Sequence, residues 1–167
     1  MTDIVAYGKG SARFGTCEFR CALGSAGIVD RKVEGDGGTP AGVWPLRRVL
    51  FRPDREMRPE CSLPVSAITP TDGWCDDPRH DNYNRPVSLP FAGGHEVMWR
   101  RDHLYDLVII VGFNDDPPLP GAGSAIFVHL ASADLAPTAG CVAFAREDLL
   151  AILPDLDRTS ALVVRHS

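Results

Sequence analysis

Glycine and proline recur along this 167-residue chain and limit the length of any regular element that it can form. The sequence contains 16 glycines and 14 prolines, which divide it into short apolar and polar stretches. Both residues are unfavourable inside helices and strands but suit turns. Short apolar stretches bounded by turn residues are typical of many short β-strands. We therefore predict a mainly β fold of the α+β class, with one or two short helices.

Three apolar stretches indicate the most buried strands. Residues 107–113 (LVIIVGF) are continuously apolar and rich in β-branched side chains, which predicts a central strand buried on both faces. Residues 126–130 (IFVHL) predict a second buried strand, and residues 161–164 predict a closing strand. Further short strands are predicted over residues 4–7, 16–23 and 27–33.

Acidic residues followed by apolar ones predict a helix over residues 145–153. A second short helix is predicted near residues 95–99. Residues 52–94 and 113–124 hold most of the prolines and are predicted to be loops over this scaffold, where functional residues tend to lie. Because the sequence shows neither an internal repeat nor a linker, we predict a single domain over residues 1–167.

The chain carries a net negative charge, with 17 basic and 22 acidic side chains and a formal net charge of −5. This balance argues against nucleic acid or an anionic membrane surface as a partner. The apolar stretches are too short to span a bilayer, so we expect no membrane span. The N-terminal residues have neither a basic region nor an apolar core, so we expect no signal peptide there. We also expect a monomer.

The chain has five cysteines, an odd number that cannot all pair. Cys17 and Cys21 are spaced to face the same side of one strand, which would suit a pair of metal ligands. Because no second Cys or His pair lies at zinc-finger spacing, we predict no metal site and no cofactor. Cys17, Cys21 and Cys61 are instead expected to pack as small apolar residues.

A cysteine in a turn and a histidine at the end of a strand carry the strongest chemical signal. Cys141 follows Gly140 in the segment 136–144 (APTAGCVAF), and His129 closes an apolar run twelve residues earlier. An imidazole beside a thiol can take its proton, so we predict Cys141 as nucleophile and His129 as its base. The turn would also direct the backbone N–H groups of Ala139, Gly140 and Cys141 into one oxyanion hole.

Each of these residues alone has a simpler interpretation. A lone cysteine is more often a buried packing residue, and a histidine that ends an apolar strand is more often merely hydrogen-bonded. His80 is the alternative base, because it lies in a polar and aromatic loop.

Three segments taken together resemble the L,D-transpeptidase catalytic domain of the YkuD type. His129 followed by residues 138–142 (TAGCV) fits the family signature of a His and then [Ser/Thr]-x-Gly-Cys-[Val/Ile]. Residues 35–46 (GDGGTPAGVWPL) are similar to a family segment of the form Gly-Asp-Gly-x-Thr-Pro-x-Gly. Residues 72–78 (DGWCDDP), with 83–85 (YNR), resemble the substrate-side loop of the small proteobacterial branch.

The resemblance implies a YkuD-like mixed β-sheet or sandwich and a cysteine acyltransferase that acts on peptidoglycan stem peptides. The Cys141 thiolate would attack a peptide carbonyl to form a thioester, and His129 would return a proton to the leaving amine. An amine acceptor makes the enzyme an L,D-transpeptidase, whereas water makes it an L,D-carboxypeptidase or amidase. A non-catalytic peptidoglycan-binding module is a third alternative. The substrate implies a periplasmic location, while a cytoplasmic one stays open.

The resemblance also implies a wall of the cleft over Cys141, formed by the substrate-side loop. Its aromatic residues would pack beneath or beside the cleft and its polar residues would face the substrate. Arg85, ahead of Arg79, is expected to bind a stem carboxylate because a guanidinium matches that geometry. The alternative for this loop is a solvated segment with one packed tryptophan. The predicted substrate-binding residues are Trp74, Asp76, Tyr83, Asn84, Arg85, Asn114 and Thr138.

Overall fold

The computed structural model describes residues 2–167, and it is mainly β with a single short α-helix in this range. The helix is α1 (Arg146–Ile152), and a 3₁₀ turn (Leu153–Asp155) follows it. The strands are β1 (Ile4–Tyr7), β2 (Ser11–Phe14), β3 (Cys17–Ala22), β4 (Ile28–Val29), β5 (Thr39–Pro40), β6 (Gly42–Phe51), β7 (Val65–Ala67), β8 (Asp72–Cys75), β9 (Pro86–Ser88), β10 (His95–Val97), β11 (Leu107–Val111), β12 (Phe127–Leu130), β13 (Val142–Phe144) and β14 (Ala161–Arg165).

Nine strands form one mixed sheet in the order β11-β12-β13-β3-β2-β1-β14-β6-β7. Strand β6 pairs with β14 over residues 42–45 and with β11 over residues 46–51. Strand β3 likewise pairs with β2 and then, at its C-terminal end, with β13. One half of the sheet contains β1, β2 and β14, and the other contains β11, β12 and β13. Strands β3 and β6 each pair with both halves and bring them together as in a sandwich.

The main core lies between these two halves. Ile4 and Leu162 from one half and Val128 and Phe144 from the other are fully buried in one cluster, together with Leu149 of α1. Each such side chain stabilises the fold by about 1.5–3 kcal/mol relative to an exposed one. The core thus holds the strands β11, β12 and β13 in a fixed position.

The opposite face of β11–β13 is covered by a small three-stranded sheet in the order β10-β8-β9. Because side chains alternate along a strand, Val108 and Phe127 point away from the main core into a second cluster. Trp74 of β8 and Met98 after β10 pack there, and Cys141 belongs to the same cluster. This second face is the one that carries the candidate site.

Several sequence predictions are confirmed. The central strand is observed as β11, buried at every position, and the strand around residue 128 is observed as β12. The helix predicted over 145–153 is observed as α1, with Glu147 and Asp148 in its first turn. No helix within residues 2–167 has the length and apolar character needed to cross a bilayer.

Other predictions are wrong. Residues 95–97 form strand β10 rather than a helix, because a segment this short gains more from pairing with β8 than from an isolated helical turn. The predicted loop over 52–94 contains the strands β7, β8 and β9. Cys17 is exposed rather than packed, while Cys21 on the same strand is buried.

Candidate active site

Adjacent parallel strands position the predicted nucleophile and base. In the pairing of β12 with β13, His129 lies opposite Ala143, and Cys141 directly precedes β13. Cys141 is therefore two residues before the register partner of His129, so the two side chains point to the same face of the sheet. Both side chains line one cavity of about 460 Å³.

The turn before Cys141 is held by the side chain of Thr138. Its hydroxyl donates to the carbonyl oxygen of Cys141 at 2.7 Å and accepts from the N–H of Gly140 at 3.1 Å. The backbone of Thr138 also bonds to Leu23 and Ser25, both at 2.9 Å. These contacts fix the direction in which the Cys141 side chain leaves the turn.

Gly140 is required in this turn for two reasons. Its φ angle is +139°, a conformation that side chains with a β-carbon rarely adopt. A β-carbon built on Gly140 would also lie 2.7 Å from the carbonyl oxygen of Gly38, which is closer than van der Waals contact. The glycine-rich segment 35–46 therefore packs directly against the turn that carries the nucleophile.

The glycine-rich segment is itself tightly hydrogen-bonded. Asp36 accepts the N–H groups of Val33 and Gly38, each at 2.8 Å. Burial acts to raise the pKa of Asp36, but the hydrogen bond from Lys32 and those two N–H groups together hold it below its usual range. Thr39 of the same segment is fully buried and accepts from the N–H of Gly24 at 2.8 Å, and Gly24 forms a β-bridge with Thr138. The contacts of Thr39 with Gly24 and of Gly24 with Thr138 connect the glycine-rich segment to the Cys141 turn.

The thiol of Cys141 is almost fully enclosed. It lies 3.2 Å from the carbonyl oxygen of Ala125, to which it donates, and 3.3 Å from the N–H of Phe127, from which it accepts. Burial raises the pKa of this thiol to about 12, and the charge of Glu96 acts in the same direction. The hydrogen bond from Phe127 and the charge of Lys32 oppose the increase. The ligand-free thiol is therefore protonated at neutral pH.

The ring of His129 is oriented by a backbone carbonyl. Its Nδ1 atom lies 2.8 Å from the carbonyl oxygen of Leu130. Because a carbonyl oxygen can only accept, Nδ1 carries the proton and Nε2 keeps a free lone pair. Burial lowers the pKa of His129 to about 4, so the ring is neutral at pH 7. A neutral imidazole with a free Nε2 can take a proton from a thiol within hydrogen-bond reach. In this structure the Cys141 thiol donates to Ala125 instead, so the sulfur must turn toward His129 before the proton can move.

Two acid–tyrosine pairs form part of the cavity wall. Glu96 is hydrogen-bonded to the hydroxyl of Tyr105, whose ring packs edge-on against His129 at 5.2 Å between centroids. Glu34 accepts from Tyr83 at 2.5 Å and from Ser124 at 2.7 Å. Burial raises the pKa of Glu96 and also that of both tyrosines. These pairs place oxygen atoms around the space in front of Cys141.

The structure places two of the predicted substrate-binding residues on the cavity surface. Asp76 and Thr138 both line the cavity. Burial raises the pKa of Asp76, and the nearby charge of Glu34 adds to the effect. Tyr83 is buried, and its hydroxyl accepts the N–H of Gly123 at 2.9 Å while it donates to Glu34. Tyr83 therefore contacts the wall through Glu34.

The remaining substrate-side residues lie behind or beside this wall. Trp74 packs edge-on against Phe127 at 5.2 Å between centroids, and its Nε1 donates to Asn84 at 3.0 Å. The amide of Asn84 donates to the carbonyl oxygens of Phe113 and Asn114. The side chain of Asn114 donates to Leu119 and Gly123. Arg85 is exposed and is absent from the residues between 2 and 167 that line the cavity.

Several cavity residues were not anticipated from the sequence. Lys32 and Glu34 precede the glycine-rich segment, and Glu96 lies on β10, which the sequence pattern indicated as a helix. Arg100 also lines the cavity; it pairs with Asp102 at 2.8 and 2.6 Å, and its guanidinium lies 4.9 Å from the centre of the Tyr105 ring. Nothing in the local sequence distinguished these charged residues from solvated charges on a surface.

The other histidines have contacts of their own. His80, the alternative base, packs against Phe91 with the rings tilted and 4.6 Å between centroids, and it is not among the described residues that line the cavity. His103 lies 3.0 Å from the carbonyl oxygen of Ala131. Across residues 2–167, no three His, Cys, Asp or Glu side chains come together as a metal-binding group.

Comparison with known proteins adds the family. The model of the YkuD L,D-transpeptidase catalytic domain matches residues 3–164, which is nearly the whole chain. No curated protein matched the chain in a second comparison. The family consists of enzymes that act on peptidoglycan, typically at the cell wall or in the periplasm. The chain belongs to the YkuD family of L,D-transpeptidase catalytic domains.

Proposed function

We propose that this protein is a cysteine acyltransferase that cross-links peptidoglycan stem peptides through a thioester on Cys141. The observation that carries the proposal is the hydrogen bond between His129 Nδ1 and the carbonyl oxygen of Leu130. It leaves Nε2 as a proton acceptor on a ring that lines the same cavity as the thiol. We further propose that the chain works as one periplasmic catalytic domain, as a monomer and without nucleic acid.

The proposed reaction begins with a neutral thiol and a neutral imidazole. His129 Nε2 takes the proton of Cys141 as the sulfur attacks the carbonyl carbon of the stem peptide. The carbonyl oxygen becomes negative in the tetrahedral intermediate. When the C–N bond breaks, the imidazolium gives its proton to the leaving amine, and a thioester remains on the sulfur.

The second half of the reaction releases the product. An amine of a second stem attacks the thioester carbonyl, His129 takes a proton from that amine, and the C–S bond breaks. The sulfur leaves as a thiolate and recovers its proton from the imidazolium. Water in place of the amine gives hydrolysis by the same steps.

The oxyanion hole is proposed to consist of backbone N–H groups from Ala139, Gly140 and Cys141. Gly140 supports this assignment because its positive φ turns the backbone sharply just before the nucleophile. Its N–H also bonds to Thr138 at 3.1 Å, so that donor must be shared with the substrate oxygen. The other two donors carry most of the role in this proposal.

The charges in the cavity fit a stem peptide that carries both carboxylate and ammonium groups. The acidic side chains Glu34 and Asp76 line the cavity together with the basic side chain Arg100. Such a mixture can orient a zwitterionic peptide by attraction at both ends. We propose that Asp76 and Thr138 contact the stem directly, and that Trp74, Tyr83, Asn84 and Asn114 hold the wall in place.

The experiment that tests the proposal is a reaction with defined muropeptides that end in a tetrapeptide stem. We expect an acyl adduct on the intact protein and a cross-linked product, both identified by mass, and neither with Cys141→Ala. A shortened stem without cross-linking would identify the carboxypeptidase or amidase. Stem binding without any adduct would identify a non-catalytic module and contradict the proposal.

A further inference from the structure

Lys32 is a buried cation beside the Cys141 turn, and the reaction described above makes no use of it. Its side chain is only 5% exposed, although it lines the cavity that contains the thiol. A lysine is rarely buried to this extent unless its charge is paired or has a function. Asp36 supplies one partner, through an ion pair four residues along the chain.

The side chain of Lys32 runs between the two segments that enclose the thiol. A β-carbon built on Gly123 would lie 2.7 Å from Lys32 Cγ, and one built on Gly140 would lie 3.5 Å from Lys32 Nζ. Gly123 leads to Ala125, whose carbonyl oxygen contacts the sulfur, and Gly140 precedes Cys141. The ammonium group therefore lies next to the backbone proposed to bind the oxyanion.

The ammonium group of Lys32 has donor capacity to spare. An ammonium carries more N–H donors than the one that Asp36 accepts, and within residues 2–167 that is the single hydrogen bond from Nζ. The group is therefore prepared to donate to an oxygen atom that enters the cavity.

The proposed backbone oxyanion hole has fewer free N–H donors than the three residues that form it. The Gly140 N–H already bonds to the Thr138 hydroxyl at 3.1 Å, so one of its three proposed donors is partly occupied. A cation at hydrogen-bond distance from a developing oxyanion forms a charge-assisted bond, which is stronger than a neutral one. Lys32 Nζ lies 3.5 Å from a β-carbon built on Gly140, which brings it close to this partly occupied donor.

We propose that Lys32 is a further catalytic residue, whose ammonium donates to the carbonyl oxygen that becomes negative when Cys141 attacks. This inference rests on the acyl-transfer function proposed above. The charge of Lys32 also lowers the pKa of the Cys141 thiol against the effect of burial, which agrees with its closeness to the reacting atoms.

The decisive comparison is between Lys32→Met and Asp36→Asn. Both changes break the same ion pair, but only the first removes the cation. We expect Lys32→Met to lower kcat on a tetrapeptide stem by about 10²–10³-fold with little change in KM, as the loss of one oxyanion donor does in other enzymes. Asp36→Asn should retain most of kcat, and Lys32→Arg should fall between the two. Thermal melting of each variant establishes that the fold is intact.

Two results would overturn the proposal. One is a Lys32→Met variant with the kcat of the unaltered protein. The other is an equal loss in Lys32→Met and Asp36→Asn, which would assign to Lys32 a structural role in the glycine-rich segment. If Lys32→Met fails to fold, the comparison of Lys32→Gln with Lys32→Arg provides the same contrast between neutral and charged side chains.

A second measurement separates this inference from the proposed function. The rate at which iodoacetamide alkylates Cys141 depends on the thiolate fraction and needs no stem peptide. We expect Lys32→Met to shift the alkylation profile to lower rates at neutral and mildly alkaline pH, where only a small fraction of this thiol is ionised, whereas Asp36→Asn should not. If the unaltered protein is inactive on every stem but this shift is present, the proposed function fails while Lys32 still acts on Cys141. An unchanged alkylation profile contradicts the assignment of Lys32.

Discussion

The turn that carries Cys141 and the acid–tyrosine wall of the same cavity, formed by the pairs Glu96–Tyr105 and Glu34–Tyr83, are held in different ways. The turn depends on backbone geometry, because Thr138 ties its own loop together and Gly140 passes close to the carbonyl of Gly38. The wall depends on side-chain pairs, in which Glu96 meets Tyr105 and Glu34 meets Tyr83. A turn held by its backbone geometry tolerates few residue types at each position. A wall held by side-chain pairs can accept other pairs of residues at the same positions.

This difference suggests a division of roles within the cavity. A rigid turn suits the nucleophile and the oxyanion hole, which must keep their geometry to a fraction of an ångström. A wall made of exchangeable side chains suits the choice of stem peptide. We therefore expect changes in the turn to affect kcat and stability, and changes in the wall to affect KM and pH dependence.

The largest effect is expected for the nucleophile itself. Cys141→Ala should abolish product formation from muropeptides, because no thioester can form. Its melting temperature should stay close to that of the unaltered protein, since a small side chain replaces another small one. Normal turnover by this variant would exclude the thioester and with it the acyl-transfer mechanism.

The next largest effect concerns the base. His129→Ala should lower kcat by about 10²–10⁴-fold, the range for losing a general base. In the unaltered protein, kcat/KM should be constant above pH 5 and fall as the pH decreases through about 4, because burial lowers the pKa of His129 to that value and protonation removes the base. A decline of kcat/KM centred near an unperturbed imidazole pKa of about 6.5 would contradict the buried, neutral ring.

Gly140→Ala tests whether backbone geometry holds the turn. We expect it to destabilise the protein by about 1–3 kcal/mol for the positive φ alone, with a further loss from contact with the Gly38 carbonyl. Gly27→Ala is the matched control, since Gly27 has φ +74° but nothing within 4 Å of the added carbon. In urea unfolding, the free energy of unfolding of Gly140→Ala should be clearly lower than that of the Gly27→Ala control. Equal stability of the two variants would show that the contact with Gly38 is unimportant.

Two arginines test whether a substrate carboxylate binds inside the cavity or on the surface outside it. Arg100 lines the cavity, whereas Arg85, which the sequence predicts as the carboxylate ligand, is exposed. If the cavity binds a stem carboxylate, Arg100→Ala should raise KM by roughly tenfold, the value of one charge-assisted hydrogen bond. Arg85→Ala should change KM less. If Arg85→Ala instead raises KM more than Arg100→Ala on free-carboxylate stems, and this difference disappears on amidated stems, then Arg85 is the carboxylate ligand.

The smallest effect is expected for Glu96→Gln. Burial raises the pKa of Glu96 in the folded protein, so the folded state binds a proton that the unfolded state releases, and this carboxyl destabilises the fold progressively as the pH rises above about 4.3. The variant should therefore gain unfolding free energy relative to the unaltered protein between pH 4 and pH 7. Asp102→Asn is the opposite control, because the hydrogen bond from Arg100 lowers the pKa of Asp102. A pH-independent difference for Glu96→Gln would contradict the buried carboxyl.

Much of this protein could be predicted from the sequence, where the signal is local. The apolar run of β11 and the acid-to-apolar pattern of α1 each determine their own element. The Thr138–Cys141 turn is determined in the same way, because only a glycine tolerates φ +139° and a threonine hydroxyl reaches the neighbouring backbone groups. Residue types at fixed spacing were enough to indicate the cysteine, the histidine and the family.

Only the tertiary structure decided what surrounds those residues. Residues 95–97 became a strand because β8 offered pairing partners, and this strand carried Glu96 into the cavity. Lys32 and Arg100 reach the same space from segments that are far apart along the chain. Nothing local distinguishes them from solvated charges on a surface. The low polarity of a buried cavity is a property of the assembled strands, and it is this property that raises the pKa of the Cys141 thiol and lowers that of His129.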